Sequence, residues 1–219
     1  MIESMNRRFC VVGIIVLLIA GVGVVILLGQ NDSGVDEPFD NGGRYDSTIL
    51  NNMGVIYSDP SDIHAWNNGY SESDNCPWGY THWGLDFIFL NDSAVIAAAP
   101  GIVQSIELAN VEGTDFYKVG VQIRFNESVW ISYSFEGLAN VTSNRAQQAA
   151  MLGIEVGDWV SKGDGIGRFL RVGPYDHVDF VVYLNDEAIC PRRVLGENEY
   201  TELMNLVHSF HPDWDLCYP

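Results

Sequence analysis

Lysine is almost missing from this chain of 219 residues. Lys118 and Lys162 are its two lysines, and 11 basic residues face 29 acidic ones, for a formal net charge of -18. A nucleic-acid partner needs a basic patch to neutralise phosphates, and none is visible, so that class of function is excluded. The acidic surface favours solubility and draws cations. Internal repeats are absent, and helix-forming stretches are scarce. Cysteine is sparse: Cys10, Cys76, Cys190 and Cys217.

Charge is also missing, completely, from Phe9 to Leu28 (FCVVGIIVLLIAGVGVVILL). About twenty residues at about 1.5 Å each span the roughly 30 Å apolar core of a bilayer. Arg7 and Arg8 precede the run, and Asp32, Asp36, Glu37 and Asp40 follow it. This asymmetry predicts residues 1–8 in the cytoplasm, an anchor over 9–28, and everything after it outside the cell. A cleaved signal peptide is the rival reading, but its apolar part would be unusually long and no clear small-x-small cleavage site follows. The run has no polar face, which argues against a helix of a soluble core.

Outside the cell disulfides persist. Cys76, Cys190 and Cys217 cannot all pair with one another. A Cys190–Cys217 bond would tie down the C-terminal tail, and Cys76 with either partner is equally allowed. Sequons at Asn91, Asn126 and Asn140 fit the same location.

Residues 29–47 are rich in Gly, Asp, Asn and Pro without apolar periodicity, which predicts a flexible linker. The folded domain should occupy 48–219. Its apolar runs are short and punctuated by turns: Asn91-Asp92, Pro100-Gly101, Gly113, Gly163-Asp164-Gly165 and Gly173-Pro174. Strands are predicted over 84–89, 94–98, 101–108, 119–125, 129–135, 159–160, 165–171 and 177–184. In Val119-Gly-Val-Gln-Ile-Arg-Phe125 the apolar residues share one face. The fold class is therefore mainly β, an antiparallel sandwich or open barrel. Short helices are predicted over 143–151, with Ser143 as N-cap, and over 197–210, where Tyr200, Leu203, Met204, Val207 and Phe210 recur at helical spacing.

Two segments carry candidate chemistry. In Thr81-His-Trp-Gly-Leu-Asp-Phe87, residues 82, 84 and 86 share one face if the chain is extended. Gly84 then leaves space between the His82 imidazole and the Asp86 carboxylate, enough for a metal held by nitrogen and oxygen. In Tyr175-Asp-His-Val-Asp-Phe180, His177 and Asp179 again share a face. A third segment, Gly157 to Gly167 (GDWVSKGDGIG), suits a hairpin with glycine-permitted turns. His64, His208 and His211 have no motif context. Trp66, Trp78 and Trp83 lie in or beside an aromatic- and Asn-rich loop, Ile63 to Tyr80, which could line a groove, although core packing is their commoner role.

In their order and spacing these segments resemble the lysostaphin-type, or murein-cleaving, zinc metalloendopeptidases. That family carries H-x-G-x-D, then G-D-x-V-x-x-G-x-x-I-G, then H-x-H before an aromatic. Ala99-Pro-Gly-Ile-Val103 and Cys190-Pro191 resemble the strand after the first motif and the exit after the last, so the likeness covers about 54–195. It implies that fold, with a duplicated hybrid-motif-like β core. It also implies zinc, with His82 and Asp86 on its first two ligand positions, Asp179 on the third in place of histidine, and His177 as the catalytic histidine. Tyr133-Ser134-Phe135 falls on the family's Y-x-H segment, which puts Phe135 where a second catalytic histidine is expected.

Asp179 either ligates in histidine's place or is a polar residue of a vacated pocket. One histidine and two aspartates shift preference from Zn toward Mn, Mg or Ca. Phe135 neither accepts a proton nor stabilises an oxyanion, and loss of one such group costs about 10²–10⁴-fold. Two functions follow. One is a degenerate, membrane-anchored domain that binds a cell-wall polymer or envelope protein with little turnover. The other is an active metal-dependent endopeptidase cutting cell-wall or other external peptides.

Overall fold

The computed structural model describes residues 50–111, 116–137 and 142–219. The apolar run at 9–28, the linker at 29–47, Cys10, Gly113 and Asn140 lie outside these residues. Among the described residues no helix is long and apolar enough to cross a membrane.

The domain is built from β1 (Ile63–Trp66), β2 (Tyr70–Ser71), β3 (Leu85–Phe89), β4 (Ala94–Ile96), β5 (Gly101–Asn110), β6 (Tyr117–Arg124) and β7 (Val129–Gly137). There follow α1 (Thr142–Ala150), β8 (Trp159–Val160), β9 (Gly165–Arg168), β10 (His177–Leu184), β11 (Glu187–Ile189), α2 (Glu197–Phe210) and β12 (Cys217–Tyr218). The main sheet runs β1-β3-β10-β7-β6-β5-β8, with β11 continuing beside β10. Its pairings are antiparallel, and it curls into a half-barrel.

Alternation explains why these residues make this sheet. Along β6 and β7, Val119, Val121, Ile123, Val129, Ile131, Tyr133 and Phe135 are buried, while the residues between them are on the whole more open. One face therefore joins the core and the other is left for polar groups. The Tyr133 hydroxyl takes a hydrogen bond from the Ala98 amide at 2.7 Å, which satisfies a polar tip deep in that core. β3 breaks the alternation: all five of its residues are buried, because it is covered on both faces.

α2 presents Leu203, Leu206 and Val207 to the core. α1 begins one residue before the predicted N-cap, so Ser143 sits inside the first turn. Its buried Gln148 donates to the Arg168 carbonyl at 2.8 Å and accepts from the Leu170 amide at 2.7 Å, pinning the exit of β9. The Gly157–Gly167 segment has its glycine turns, with positive φ at Gly157 and Gly163. It is not a simple hairpin, however. β8 pairs with β5 while β9 pairs with β4, so the turn joins two sheets.

The open cysteine question resolves as Cys190–Cys217, with Cys76 unpaired. The bond lies beside the parallel β12–β2 pair, where the Tyr70 amide donates to the Leu216 carbonyl at 3.0 Å and the Glu72 amide to that of Tyr218 at 2.9 Å. Trp78 packs against Trp214 and Tyr218 at 5.5 and 5.2 Å between ring centres. A disulfide closing a 27-residue separation should add about 3 kcal/mol. Denaturant titration of the Cys190→Ser, Cys217→Ser chain should show that loss. An unchanged unfolding free energy would mean that strand pairing and aromatic contacts hold the tail without it.

Candidate metal centre

Register sets the site. β10 lies between β3 and β7, and Asp179 is directly opposite both Asp86 and Ser134. The row ahead pairs His177 with Glu136, and the core-facing row between them pairs Val178 with Phe87 and Phe135. Asp86, Asp179, Ser134, His177 and Glu136 therefore share one patch. His82 enters from the turn before β3.

His82, Asp86 and Asp179 each offer a ligand atom, and the three lie within 4.8 Å of one another. His82 Nε2 is 3.3 Å from Asp86 Oδ1 and 3.9 Å from Asp179 Oδ1. Neighbouring ligand atoms of a tetrahedral ion with bonds near 2.1 Å are about 3.4 Å apart, so the spacing suits a divalent cation. Asp86 Oδ1 and Asp179 Oδ1 are buried and receive no hydrogen bond among the described residues. Two buried carboxylate oxygens next to one another, with imidazole nitrogens as their near neighbours, form a donor set suited to a cation. A Cβ at Gly84 would collide with the Asp179 carboxylate, so the missing side chain is what admits Asp179 to the cluster.

The supporting contacts orient the same atoms. His82 Nδ1 is 2.8 Å from the Gly69 carbonyl. It must donate there, which turns Nε2 toward the carboxylates, the usual arrangement for a ligating histidine. Asp86 Oδ2 accepts from Asn68 at 2.8 Å and Asn67 at 3.3 Å, leaving Oδ1 turned inward. Asn68 also donates to the Tyr80 hydroxyl at 2.7 Å. His177 Nδ1 donates to the Tyr175 carbonyl at 2.9 Å. Its Nε2 lies 3.4 Å from Asp86 Oδ1 and 3.8 Å from Glu136 Oε2. Glu136 in turn accepts from Ser134 Oγ at 2.9 Å.

Phe135, which falls on the family's histidine position, does not face the cluster. Phe135 is fully buried and stacks near Phe169, 6.5 Å between ring centres, on the core side of β7. The side facing the cluster carries Ser134 and Glu136. Glu136 was not singled out from sequence, nor were Asn67, Asn68 and Tyr80. The polar alternation Ser132, Ser134, Glu136 was the available signal. His208 and His211 support the tail: His208 Nε2 meets the Trp214 carbonyl at 3.0 Å, and His211 stacks on Trp214 at 3.7 Å. Trp66 is buried and Trp78 is packed, whereas Trp83 is 51% exposed.

Electrostatics follow from this crowding. Burial, together with the Asp86 charge, pushes Asp179 up to about 7. For His82, burial works to lower the pKa, but the Asp86 carboxylate 3.3 Å away and the Asp179 charge overcome it and raise the ring to about 9. His177 is raised too, with Asp86 and Glu136 outweighing burial. Asp86 is held below the usual carboxylate range, since the two imidazoles outweigh its burial.

No protein-family model matches the chain, and no curated protein sequence matches it. Among solved structures it is similar to a zinc-containing peptidase from Vibrio cholerae, with TM-score 0.46 and 14% identity over 64% of this chain and 39% of that one. It is also similar to the catalytic domain of the prophage-encoded protein EnpA from Enterococcus faecalis (TM-score 0.44, 15% identity, 63% and 93% covered). A third is the catalytic domain of lysostaphin from Staphylococcus simulans (TM-score 0.41, 19% identity, 60% and 91% covered). The chain spans about two fifths of the length of the Vibrio protein.

Cation binding must displace the protons that Asp179 and His82 hold up to about 7 and 9. Affinity for Zn²⁺ or Mn²⁺ should therefore climb from pH 5 to pH 9 and level off above it. In the cation-free chain both pKa values are raised, so their stabilising contribution is complete below the unfolded values and is lost as pH rises through 7 and then 9. Calorimetric titration of each ion across this range checks the first expectation, and a flat profile would rule out these ligands.

Proposed function

We propose that the domain is a divalent-cation-dependent hydrolase of external peptides, carried on a membrane anchor at residues 9–28. The observation that carries this reading is the set of inward-turned Asp86 and Asp179 oxygens beside His82 Nε2, with His177 and Glu136 adjoining. His82, Asp86 and Asp179 would hold the ion. When bound, such an ion polarises a carbonyl and lowers the pKa of water. Its donor set of one nitrogen and two carboxylates suits zinc, and also the harder Mn, Mg or Ca.

The chain's own groups divide the remaining work. His177 is tied through Nδ1 to Tyr175, so Nε2 is held in one orientation, and as an imidazolium it donates toward the charge developing on a carbonyl oxygen. Glu136, 3.8 Å from that nitrogen and fixed by Ser134, is the acceptor placed to take a proton from water. Phe135 lies on the other face and supplies no group to the reaction, so this role falls to Glu136. The Cys190–Cys217 bond supports an oxidising location outside the membrane. An external peptide of the cell envelope is the substrate class that this location and the family resemblance favour.

A second reading gives up turnover, with or without the cation, leaving a domain that binds a wall polymer or envelope protein. Asp179 in histidine's place favours it.

Elemental analysis and titration of the full-length chain in non-ionic detergent test the cation. One ion per chain is expected, lost in Asp86→Ala. No binding of Zn²⁺, Mn²⁺, Mg²⁺ or Ca²⁺ at micromolar levels would remove the hydrolase reading and leave the binding one. Turnover is then scored on a mixed peptide library. Glu136→Gln should lower kcat about 10²–10⁴-fold with ion affinity retained. Stoichiometric ion without cleavage would leave the binding reading.

A further inference from the structure

Beside the cluster is an open groove of about 610 Å³ lined by Tyr70, Glu72, Trp83, Tyr183, Glu187 and Ala188. It combines three aromatic rings with two carboxylates, and no lysine or arginine lines it. Tyr70 is buried and committed, its hydroxyl shared between Glu72 at 3.1 Å and the Ala188 carbonyl at 3.2 Å. Its ring meets Trp83 edge-on at 6.0 Å. Trp83 leaves half its surface to solvent in a part of the fold where Trp66 is buried. Glu72 and Glu187 are exposed, and neither forms an ion pair among the described residues.

Tyr183 links this groove to the cluster. It also lines the groove that holds Ser134, Glu136 and Asp179. Asp179 and Tyr183 are four residues apart on β10, about 13 Å in an extended strand. A peptide lying along β10 with its backbone at His82 and Asp86 would therefore place a side chain about four residues away between Trp83 and Glu187.

We propose that this groove is a subsite for a cationic side chain, an ammonium or guanidinium, of the bound peptide. Aromatic faces attract cations through their quadrupole, and the two carboxylates add Coulomb attraction. Arg193 is close enough to act on Tyr70, but it does not line the groove and forms no ion pair with Glu72 or Glu187 among the described residues. A neutral sugar could stack on the same rings, but it gains nothing from two carboxylates that no ion pair engages. The peptide as ligand rests on the function proposed above; cation binding by the groove does not.

The test uses the full-length chain in detergent with a chelator present, so that no cleavage occurs. The blocked peptides Ac-Lys-Gly-Gly-Gly-Gly-NH2 and Ac-Gly-Gly-Gly-Gly-Lys-NH2 are titrated by calorimetry against their norleucine counterparts. One lysine peptide should bind about tenfold tighter than its norleucine partner. The preference should shrink with added salt and vanish in Trp83→Leu and in the Glu72→Gln, Glu187→Gln pair. Those side chains are exposed, so the variants keep the fold, which circular dichroism checks. Equal affinities for lysine and norleucine would overturn the proposal. So would a lysine preference untouched by both variants, or tighter binding of an N-acetylglucosamine tetramer that Trp83→Leu abolishes. Lysine preference without hydrolysis by the ion-loaded chain would keep the subsite and remove the peptidase reading. Hydrolysis indifferent to lysine would do the reverse.

Discussion

The β3–β10 pairing sets Asp86 directly against Asp179, and much of the domain serves to tolerate that opposition. Two carboxylates at this separation repel, and burial makes the repulsion stronger. The protein answers with two imidazoles, two asparagine amides and a glycine. His82 and His177 supply positive charge next to Asp86, Asn67 and Asn68 occupy its second oxygen, and Gly84 makes room for Asp179. Without a cation the remaining imbalance appears as a proton held on Asp179 to near neutrality. A divalent ion would replace that proton and satisfy both inward oxygens together.

The register that creates the conflict is itself enforced by the core. Val178, Phe87 and Phe135 occupy one row across three strands, and a slip of one residue would bring Asp179 into the interior and Val178 out. Hydrophobic packing thus fixes the spacing of polar groups on the opposite face. The loop at 67–83 covers that face, which explains why Asp86 is buried on a strand whose alternation should leave it open.

Much of this was legible in the chain. The long strands and α2 are set by apolar alternation and helical spacing, and the structure places them within a few residues of expectation. A period of two made His82 with Asp86, and His177 with Asp179, readable as same-face pairs, while the resemblance to the peptidase family is what joined Asp179 to His82 and Asp86; in the structure His82 precedes β3. β1, β2, β11 and β12 were missed because they are short, and their pairing depends on partners remote in sequence, which no local pattern reports. The placement of Phe135 is more instructive. Its alternation with Ser134 and Glu136 already assigned it to the core, but a linear motif match counts positions and not faces. Glu136 was hidden by the same step.

His82 is held by Gly69 and Ser71, and these in turn are held by the segment from Leu216 to Tyr218. Ser73 reaches Pro219 across 146 residues. Closing such a span costs roughly 2–3 kcal/mol more chain entropy than closing a tight hairpin. The β5–β6–β7 meander needs no such closure and can form from neighbours alone. The scaffold strands are thus held by sequence neighbours, whereas His82 is held through contacts that only the far end of the chain supplies. Anything that loosens the tail reaches the cluster before it reaches the meander.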